Sequence, residues 1–585
     1  GSGKTSVIVE RTAYMINEGG ISPSNILVVT FSRAAAKEMK ERFLSFTGQQ
    51  YTSVTFGTFH GVFYGILKQA YGFTAANILS DEEKFGILRE LTLNYGGDLA
   101  EEGDFPEEIA REISVVKGNK IALEHYYSSC CPDEVFRQIY QGYREACQSR
   151  RKLDFDDMIL YCYELFVQRK DILEAWQKKF QYILVDEFQD INQLQYDIVR
   201  MLAKPQNNLF IVGDDDQSIY HFRGARPEIM LNFTRDYPDA ETVTLDVNYR
   251  CSGQILSAAM HVIGENKKRF SKKLSTPNQV GKAVQIREFQ NPREEYLAVV
   301  SELRERMGNG ERLEDTAILL RTNQEAEGLV GALMERQVPF NMKEKLPNLF
   351  QHWICRNLLA YMHFAAGEKN RKYFLEFMNR PNRYISRDAL SLSSVVSFEE
   401  LKEFYKDKDW MCDRITTLET HLRVLKSLAP YAAINFIRKG MGYEEYLREY
   451  AQYRKIKPEE LSEILDRLTE STKGMNSLEE WESYIEEYTE KLEEQARKAE
   501  QEREGVLIST LHGVKGLEYE QVYILNVNEG SMPYRKAVLE PAIEEERRLF
   551  YVGMTRARKQ LALCYVRQQY EKKREPSRFL KEAGV

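Results

Sequence analysis

Residues 1–6 carry groups that suit the binding of a polyphosphate. They read GSGKTS, and Gly3, Lys4 and Thr5 match the last three positions of the loop G-x-x-x-x-G-K-[ST], which lies between a strand and a helix. In such a loop the backbone N–H groups and the lysine bind phosphate oxygens, and the hydroxyl binds Mg²⁺. The strand and the first half of the loop are not in the sequence, so we expect a fragment of a longer enzyme. Because Gly-Lys-Thr is common by chance, other segments must support the site.

Two carboxylates directly follow an apolar strand. In "YILVDEFQD" (182–190) these are Asp186 and Glu187, and we expect them at the carboxyl edge of a sheet, beside the phosphate loop. One can hold Mg²⁺, and the other can orient and deprotonate a water that attacks a γ-phosphate. The alternative is an exposed acidic cap after a strand. A further segment, "IVGDDDQSIYHFRGA" (211–225), again places polar residues after an apolar run, and its Gln217 is suited to sensing a γ-phosphate.

Short apolar, β-branched runs supply the strands that must position these groups. They alternate with helical stretches, which predicts parallel sheets covered on both faces. The runs are 26–31, 182–187, 208–214, 242–246, 284–289, 316–321, 505–512 and 522–527. We therefore predict an α/β fold with two parallel-sheet cores, each carrying a mainly helical insertion. The predicted boundaries are 1–80 and 179–246 for the first core, 81–178 for its insertion, 247–344 and 501–585 for the second core, and 345–500 for its insertion.

Composition limits the kind of protein. The chain has 585 residues, is 43% hydrophobic and carries a net charge of −8. The negative net charge argues against a protein that coats nucleic acid by bulk electrostatics. Any binding of a polyanion must therefore occur in a local groove. Its eight cysteines lack metal-ligand spacing, which fits a reducing cytoplasm. No apolar run reaches about 18 residues and no charged-then-apolar leader is present in residues 1–585, so neither a membrane span nor a secretion signal is visible in this sequence.

The order of these motifs resembles that of superfamily 1 DNA helicases of the UvrD/PcrA/Rep type, over nearly the whole chain. The motifs that carry the resemblance are the loop tail, "TFSRAAAKEMKERF" (30–43), "TFHG" (58–61), "LDFDDM" (153–158), "VDEFQD" (185–190), "VGDDDQSIYHFRGA" (212–225), "LDVNYR" (245–250), "LLRTN" (319–323), "STLHGVKGLEYEQVYI" (509–524) and "EEERRLFYVGMTRARKQL" (544–561). The resemblance implies two RecA-like motor domains that bind ATP between them.

The resemblance also implies roles in ATP binding and hydrolysis. Glu187 would be the catalytic base, Gln217 the γ-phosphate sensor, and Arg250 and Arg556 the arginine fingers, which are typically worth about 10³–10⁵ in rate. Thr5 and Asp186 would hold Mg²⁺. The full set expected to bind the nucleotide is Gly1, Ser2, Gly3, Lys4, Thr5, Ser6, Asp186, Gln217, Arg250, Glu518 and Arg556, with Glu518 reading the sugar hydroxyl.

A second implied set contacts a single strand of DNA. Aromatic rings stack on bases, and polar groups bind the backbone. The rings would come from Phe31, Tyr220, Phe222 and Tyr534, and the polar contacts from Thr58, His60, Arg223, Arg321, Asn323 and His512. Taken singly, an aromatic residue after a strand is more often core packing. The sequence departs from the family at Ser32, Arg33 and Ala34, has Phe222 where tryptophan is common, Tyr534 where histidine is frequent, and Cys251 in place of serine.

The implied activity is an ATP-dependent helicase that moves 3′ to 5′ on single-stranded DNA and unwinds duplex, in repair or replication. The expected partners are single-stranded DNA and single-strand/duplex junctions, with the protein acting as a monomer or weak dimer in the cytoplasm. Two alternatives stay open: a motor subunit of a helicase–nuclease complex, and a catalytically impaired DNA-binding subunit.

Overall fold

A computed structural model describes the chain apart from residues 98, 100–102, 343–347, 391–393, 502–504, 571 and 585, and describes only the backbone of residues 495–501. In it α-helices alternate with parallel strands, as the apolar runs predict. None of the described helices combines the length and apolar character needed to cross a membrane.

The first core is built on a four-stranded parallel sheet. Its strands are β1 (Ile26–Thr30), β2 (Thr55–Thr58), β3 (Tyr182–Val185) and β4 (Leu209–Ile211), in the order β2-β1-β3-β4. All five residues of β1 are buried, because this strand lies inside the sheet with helices on its faces. The carboxyl ends of β1 and β3 lie side by side, with Val29 paired to Val185. The candidate carboxylates therefore follow directly at the edge of the sheet.

The second core contains a six-stranded parallel sheet. Its strands are β5 (Gln285–Phe289), β6 (Thr316–Leu320), β7 (Phe340–Met342), β8 (Val506–Thr510), β9 (Tyr519–Ile524) and β10 (Ala557–Val566), in the order β5-β10-β9-β6-β8-β7. A short antiparallel pair, β11 (Gln568–Gln569) and β12 (Lys572–Lys573), follows. One predicted strand is wrong: residues 242–246 form no strand, and Val243 is 82% exposed. This run belongs to neither large sheet, although the Asp246 carbonyl at its end accepts from Ser275 N at 2.8 Å.

The α-helices of the described chain are given in six groups, in chain order. The first three groups are α1 (Lys4–Asn17), α2 (Arg33–Thr47) and α3 (Phe59–Tyr71); α4 (Asp81–Tyr95), α5 (Phe105–Gly118) and α6 (Asp133–Ser149); and α7 (Phe155–Gln168), α8 (Lys170–Lys179), α9 (Gln193–Ala203), α10 (Pro227–Leu231) and α11 (Phe233–Asp236). The others are α12 (Gly253–Gly264), α13 (Pro292–Gly308) and α14 (Ala326–Glu335); α15 (Trp353–Ala366), α16 (Arg371–Phe377), α17 (Phe398–Phe404), α18 (Asp409–Leu425), α19 (Pro430–Asn435), α20 (Tyr443–Tyr453), α21 (Pro458–Ser471) and α22 (Leu478–Gln501); and α23 (Glu540–Met554) and α24 (Arg578–Glu582).

The two helical insertions share one hydrophobic core. Buried side chains of α4 to α6, such as Phe105 and Phe136, belong to the same cluster as buried side chains of α15 to α22, such as Tyr361 and Trp481. By contrast, α7 and α8 pack with α3 and α9 in the core of the first sheet. We propose the boundaries at residues 81 and 178 from the sequence. The packing of α7 and α8 against the first sheet favours ending the insertion before α7.

A buried ion pair joins α5 to the start of α7, within residues 81–178. Asp154 caps α7 and forms a reciprocal capping box with Asp157, which satisfies backbone donors at the start of the helix. Lys117 at the end of α5 donates to both carboxylates, at 2.8 Å to Asp154 and 2.7 Å to Asp157. Burial alone would lower the pKa of Lys117, but the two aspartates raise it. The "LDFDDM" segment is therefore an anchor for α5.

Candidate nucleotide site and DNA interface

The phosphate-loop residues lie at the start of α1. Gly3 has φ 77°, in the left-handed region, and precedes the first helical residue, Lys4. The Lys4 Nζ is buried and has no hydrogen-bond partner among the described residues. Burial alone would lower its pKa, but the carboxylates of Glu187, Asp214 and Asp186 raise it. A buried ammonium without a partner at a helix N-terminus fits a bound polyphosphate, which would supply the missing acceptors.

Asp186 and Glu187 differ in their electrostatic surroundings. Asp186 is 4% exposed, and burial together with the charge of Glu187 raises its pKa to about 6. Burial would also raise the pKa of Glu187, but the charges of Lys4 and Lys515 and the amide of Gln189 lower it to about 2. Glu187 Oε2 accepts a hydrogen bond from Gln189 Nε2 at 2.5 Å. Glu187 therefore has the lower pKa of the pair and is ionised at neutral pH, as a general base must be.

Gln217 is held from both cores. Its Nε2 donates to Asp214 Oδ2 at 2.6 Å, and its backbone carbonyl accepts from Lys515 Nζ at 2.8 Å. Lys515 also donates to Asp190, and its Nζ lies 3.8 Å from Glu187 Oε2. Lys515 follows β8 in the second core, whereas its acceptors follow β3 and β4 in the first. Lys515 lies in one of the sequence motifs, but the residue type alone did not predict that it would contact Asp190 and Gln217 of the first core.

The second core also brings two arginines to this cleft. Tyr249 N donates to the Gly1 carbonyl at 2.9 Å, and a Cβ added to Gly1 would lie 2.7 Å from the Cβ of Arg250. The loop and the arginine motif therefore touch. Arg250 Nε donates to Glu518 Oε2 at 2.7 Å, so the candidate sugar-reading carboxylate is its ion-pair partner here.

Arg556 is 1% exposed and donates to carbonyl groups of its own core, at 2.8 Å to Val552 and 3.2 Å to Leu517. Burial and the nearby charge of Arg250 lower its pKa to about 10. The guanidinium groups of Arg250 and Arg556 repel each other in this partly buried site. A polyanion bound between them would remove that repulsion, so the arrangement is suited to binding one.

Five of the candidate DNA-contacting residues form one cluster. Phe31 and Tyr220 stack with ring centroids 6.4 Å apart and planes at 14°. Phe222 meets His512 edge-on at 5.3 Å, and the Arg223 guanidinium lies 5.2 Å from the Tyr220 ring. Burial and the charges of Arg321 and Arg223 lower the pKa of His512 to about 3, so this ring is neutral. The cluster joins residues that follow β1, β4 and β8.

The other candidate DNA-contacting residues have different contacts from those of the cluster. Arg321 pairs with Glu546 at 2.7 Å, and its guanidinium lies 4.9 Å from the Tyr534 ring. Thr58 caps α3 by accepting from Gly61 N at 3.1 Å, which gives it a structural task.

His60 packs edge-on against Phe155 at 5.6 Å, and burial lowers its pKa. Asn323 begins the short 3₁₀ helix Asn323–Glu325.

Comparison with known proteins places the chain in a family. Residues 1–238 match the family described as UvrD/REP helicase N-terminal domain, and residues 243–568 match the UvrD-like helicase C-terminal domain. YjcD of Bacillus subtilis is 33% identical over 99% of this chain and 78% of its own length. DNA helicase II of Escherichia coli is 32% identical over 100% of this chain and 84% of its own length, and the ATP-dependent DNA helicase PcrA of Staphylococcus aureus is 30% identical over 100% and 83%.

The resemblance seen in the motifs is thereby confirmed, as are the two-core α/β fold and an activity that couples ATP hydrolysis to DNA. The chain belongs to the UvrD/REP family of ATP-dependent DNA helicases.

Proposed function

We propose that this helicase moves 3′ to 5′ along single-stranded DNA and opens duplex at single-strand/duplex junctions, in repair or replication. The observation that carries the proposal is that both cores supply charged groups to one cleft. Lys4, Asp186 and Glu187 come from the first core, and Arg250 and Lys515 come from the second. A nucleotide in this cleft would make contact with both cores at once, so binding would draw them together and hydrolysis would release them.

The proposed chemistry follows from the charges of the site. Lys4 neutralises the β- and γ-phosphates, and Glu187 orients and deprotonates the attacking water while Gln217 contacts the γ-phosphate. Arg250 and Arg556 stabilise the charge that spreads over the transferring phosphoryl group. Thr5 and Asp186 supply the oxygen donors that Mg²⁺ prefers, and the bound ion would neutralise phosphate charge.

The proposed DNA path runs over the aromatic cluster. Phe31, Tyr220 and Phe222 offer ring faces to bases, and Arg223 offers donors to phosphates. Gln217 and Tyr220 lie three positions apart in one short segment after β4. Loss of the γ-phosphate would therefore shift Gln217, and with it the Tyr220 ring that contacts DNA. We further propose that the protein acts as a monomer or weak dimer in the cytoplasm, where its eight unpaired cysteines stay reduced.

The first test is ATP hydrolysis with and without single-stranded DNA. We expect DNA to stimulate hydrolysis by the wild-type chain and Lys4→Ala to abolish the stimulated rate while the chain still binds DNA. Equal rates with and without DNA would overturn the translocation proposal. DNA binding with no hydrolysis in either protein would favour the impaired DNA-binding subunit.

The second test concerns direction. Unwinding is measured on two matched duplexes that carry a single-stranded tail of equal length, on the 3′ side in one and on the 5′ side in the other. We expect the 3′-tailed duplex to be opened faster. A preference for the 5′ tail would overturn the proposed polarity and leave the ATPase assignment standing.

A further inference from the structure

Three consecutive carboxylates follow β4, and the second core neutralises them. Asp215 and Asp216 are each 1% exposed. Lys272 Nζ lies 2.7 Å from Asp214 Oδ1 and 3.0 Å from Asp216 Oδ2, and it also pairs with Asp215. Arg269 binds both oxygens of Asp216, at 2.8 and 2.7 Å. Buried charges of one sign are stable only when paired, so residues 269–272 form a cationic clamp on this turn.

The carboxylate oxygens of the turn lie within 4.8 Å of one another, close enough to surround a cation. The Lys272 ammonium lies among them and is bonded to all three aspartates. The cluster therefore already has its cation, and this cation belongs to the second core.

One carboxylate of the turn connects the clamp to the candidate catalytic groups. Asp214 accepts from Lys272 through Oδ1 and from Gln217 through Oδ2, the latter at 2.6 Å. The Asp214 backbone N–H donates to Gln189 Oε1 at 2.8 Å, and Gln189 donates to Glu187. A single residue thus orients the candidate γ-phosphate sensor through its side chain and the candidate base through its backbone.

We propose that Lys272 is a positioning residue for ATP hydrolysis, which holds Asp214 so that Gln217 and Glu187 are correctly placed only when the second core is docked on this turn. The inference rests on the proposed function, because it assigns Gln217 and Glu187 their roles. Burial alone would lower the pKa of Lys272, but the aspartates raise it, so its charge is present throughout the physiological pH range.

Arg269 provides the matched control. It anchors the same turn with two hydrogen bonds, both to Asp216, so its loss weakens the docking of the turn without removing a hydrogen bond of Asp214. Lys273, the exposed neighbour of Lys272, controls for loss of surface charge.

The test is DNA-stimulated ATP hydrolysis by the full chain carrying Lys272→Met, which keeps most of the aliphatic stem and removes the charge. Losing a charged hydrogen bond should lower kcat about 10- to 100-fold, with KM for ATP and the affinity for ADP changed less than about threefold, since Gln217 and Glu187 act on the γ-phosphate step. Lys272→Arg should recover most of kcat. Arg269→Ala and Lys273→Ala should lower kcat much less than Lys272→Met.

A double variant separates positioning from general support of the fold. If Lys272 acts through Asp214 on Gln217 and, through Gln189, on Glu187, then adding Lys272→Met to Gln217→Ala should lower kcat by clearly less than Lys272→Met does in the wild-type chain, because only the route to Glu187 remains. The inference is overturned if the two substitutions multiply, or if Lys272→Met and Arg269→Ala lower kcat, ADP affinity and the thermal midpoint together. An active wild-type chain with an equally active Lys272→Met variant overturns this inference alone. An inactive wild-type chain overturns the proposed function as well.

Discussion

Arg250 has acceptors in the protein, the Glu518 carboxylate and the Thr555 carbonyl, and a nucleotide would bring a further one. Its Nε donates to Glu518 at 2.7 Å while its side chain stays 13% exposed. Glu518 also lies 3.7 Å from Arg558, which is 47% exposed. Because Glu518 is 47% exposed, water can solvate its carboxylate once the pair opens, so a phosphate could replace Glu518 as the partner of Arg250.

The first prediction concerns this arginine. Arg250→Ala should lower the DNA-stimulated kcat by about 10³ or more, because a guanidinium on the transferring phosphate is worth that much. Binding of single-stranded DNA should change little. Stopped-flow phosphate release and fluorescence anisotropy with a labelled oligonucleotide measure the two quantities.

Arg558→Ala is the control, since Arg558 shares Glu518 but is not among the proposed fingers. We expect less than about a threefold change in its kcat, in line with the small worth of exposed charges. If both variants lost activity equally, Glu518 and its ion pairs, not an arginine finger, would be responsible.

Among the structural elements, the contact of helix α13 with the end of β9 includes a carboxyl that is fully buried. Glu295 in α13 is 0% exposed, and its Oε1 accepts from Asn526 N at 3.0 Å. Its Oε2 has no hydrogen-bond partner among the described residues. Burial, with a smaller effect of Glu325, raises the pKa of Glu295 to about 8.

The second prediction is a pH dependence of stability that originates at this helix. The folded-state pKa of Glu295 lies above the unfolded value of 4.5, so its contribution is fully present below about pH 4.5 and is lost as pH rises through about 8. The neutral amide of Glu295→Gln resembles the protonated carboxyl, so this substitution should remove the loss of stability at high pH. Between pH 6 and pH 9 the thermal midpoint of the wild-type protein should fall by at least about 3 °C more than that of the variant.

Differential scanning fluorimetry at several pH values measures the effect. Glu294→Gln, at the exposed neighbour of Glu295, should follow the wild-type curve. If the curves of wild type and Glu295→Gln ran parallel, this carboxyl would titrate normally and the assigned burial effect would be absent.

For the whole molecule, the contact between the two helical insertions contains one buried arginine beside the shared hydrophobic core. Arg454, just after α20, is 2% exposed. It donates to the Cys130 carbonyl and to Glu108 Oε2, the latter at 3.0 Å, and its guanidinium lies 4.8 Å from the Phe105 ring. Lys455 adds a bond of 2.6 Å to Asp133. Segments more than 300 residues apart in sequence are joined in this way.

The third prediction is that Arg454→Ala loosens this contact. Removing one partner of a buried ion pair costs about 3–5 kcal/mol, and we expect the lower end because Glu108 is 26% exposed. Hydrogen exchange should increase in residues 105–133 and 443–471 and stay unchanged around β1 and β3.

Arg448→Ala is the matched control, since Arg448 lies on the same helix but is 56% exposed. It should leave the exchange pattern as it is. An increase spread evenly over the chain in Arg454→Ala would mean that the arginine supports the fold in general and has no special role at this contact.

The sequence by itself determined the family, the two parallel-sheet cores and the identity of the charged groups. Motif order is local information, and buried parallel strands are apolar runs that can be read from the chain. It did not predict β2, because Thr55–Thr58 is not an apolar run, and it predicted a strand at 242–246, where the exposed run joins neither large sheet. Thr58 matched a motif, yet its hydroxyl caps α3.

Only the tertiary structure decided which groups meet. The reach of Lys515 to Asp190, the clamp of Lys272 on Asp214, the pairing of Arg250 with Glu518 and the common core of the two insertions all join segments far apart in sequence. Such contacts depend on how the cores dock, and docking follows from the summed packing of many side chains. No local pattern of residue types encodes that sum, so these partners became visible only when the chain was folded.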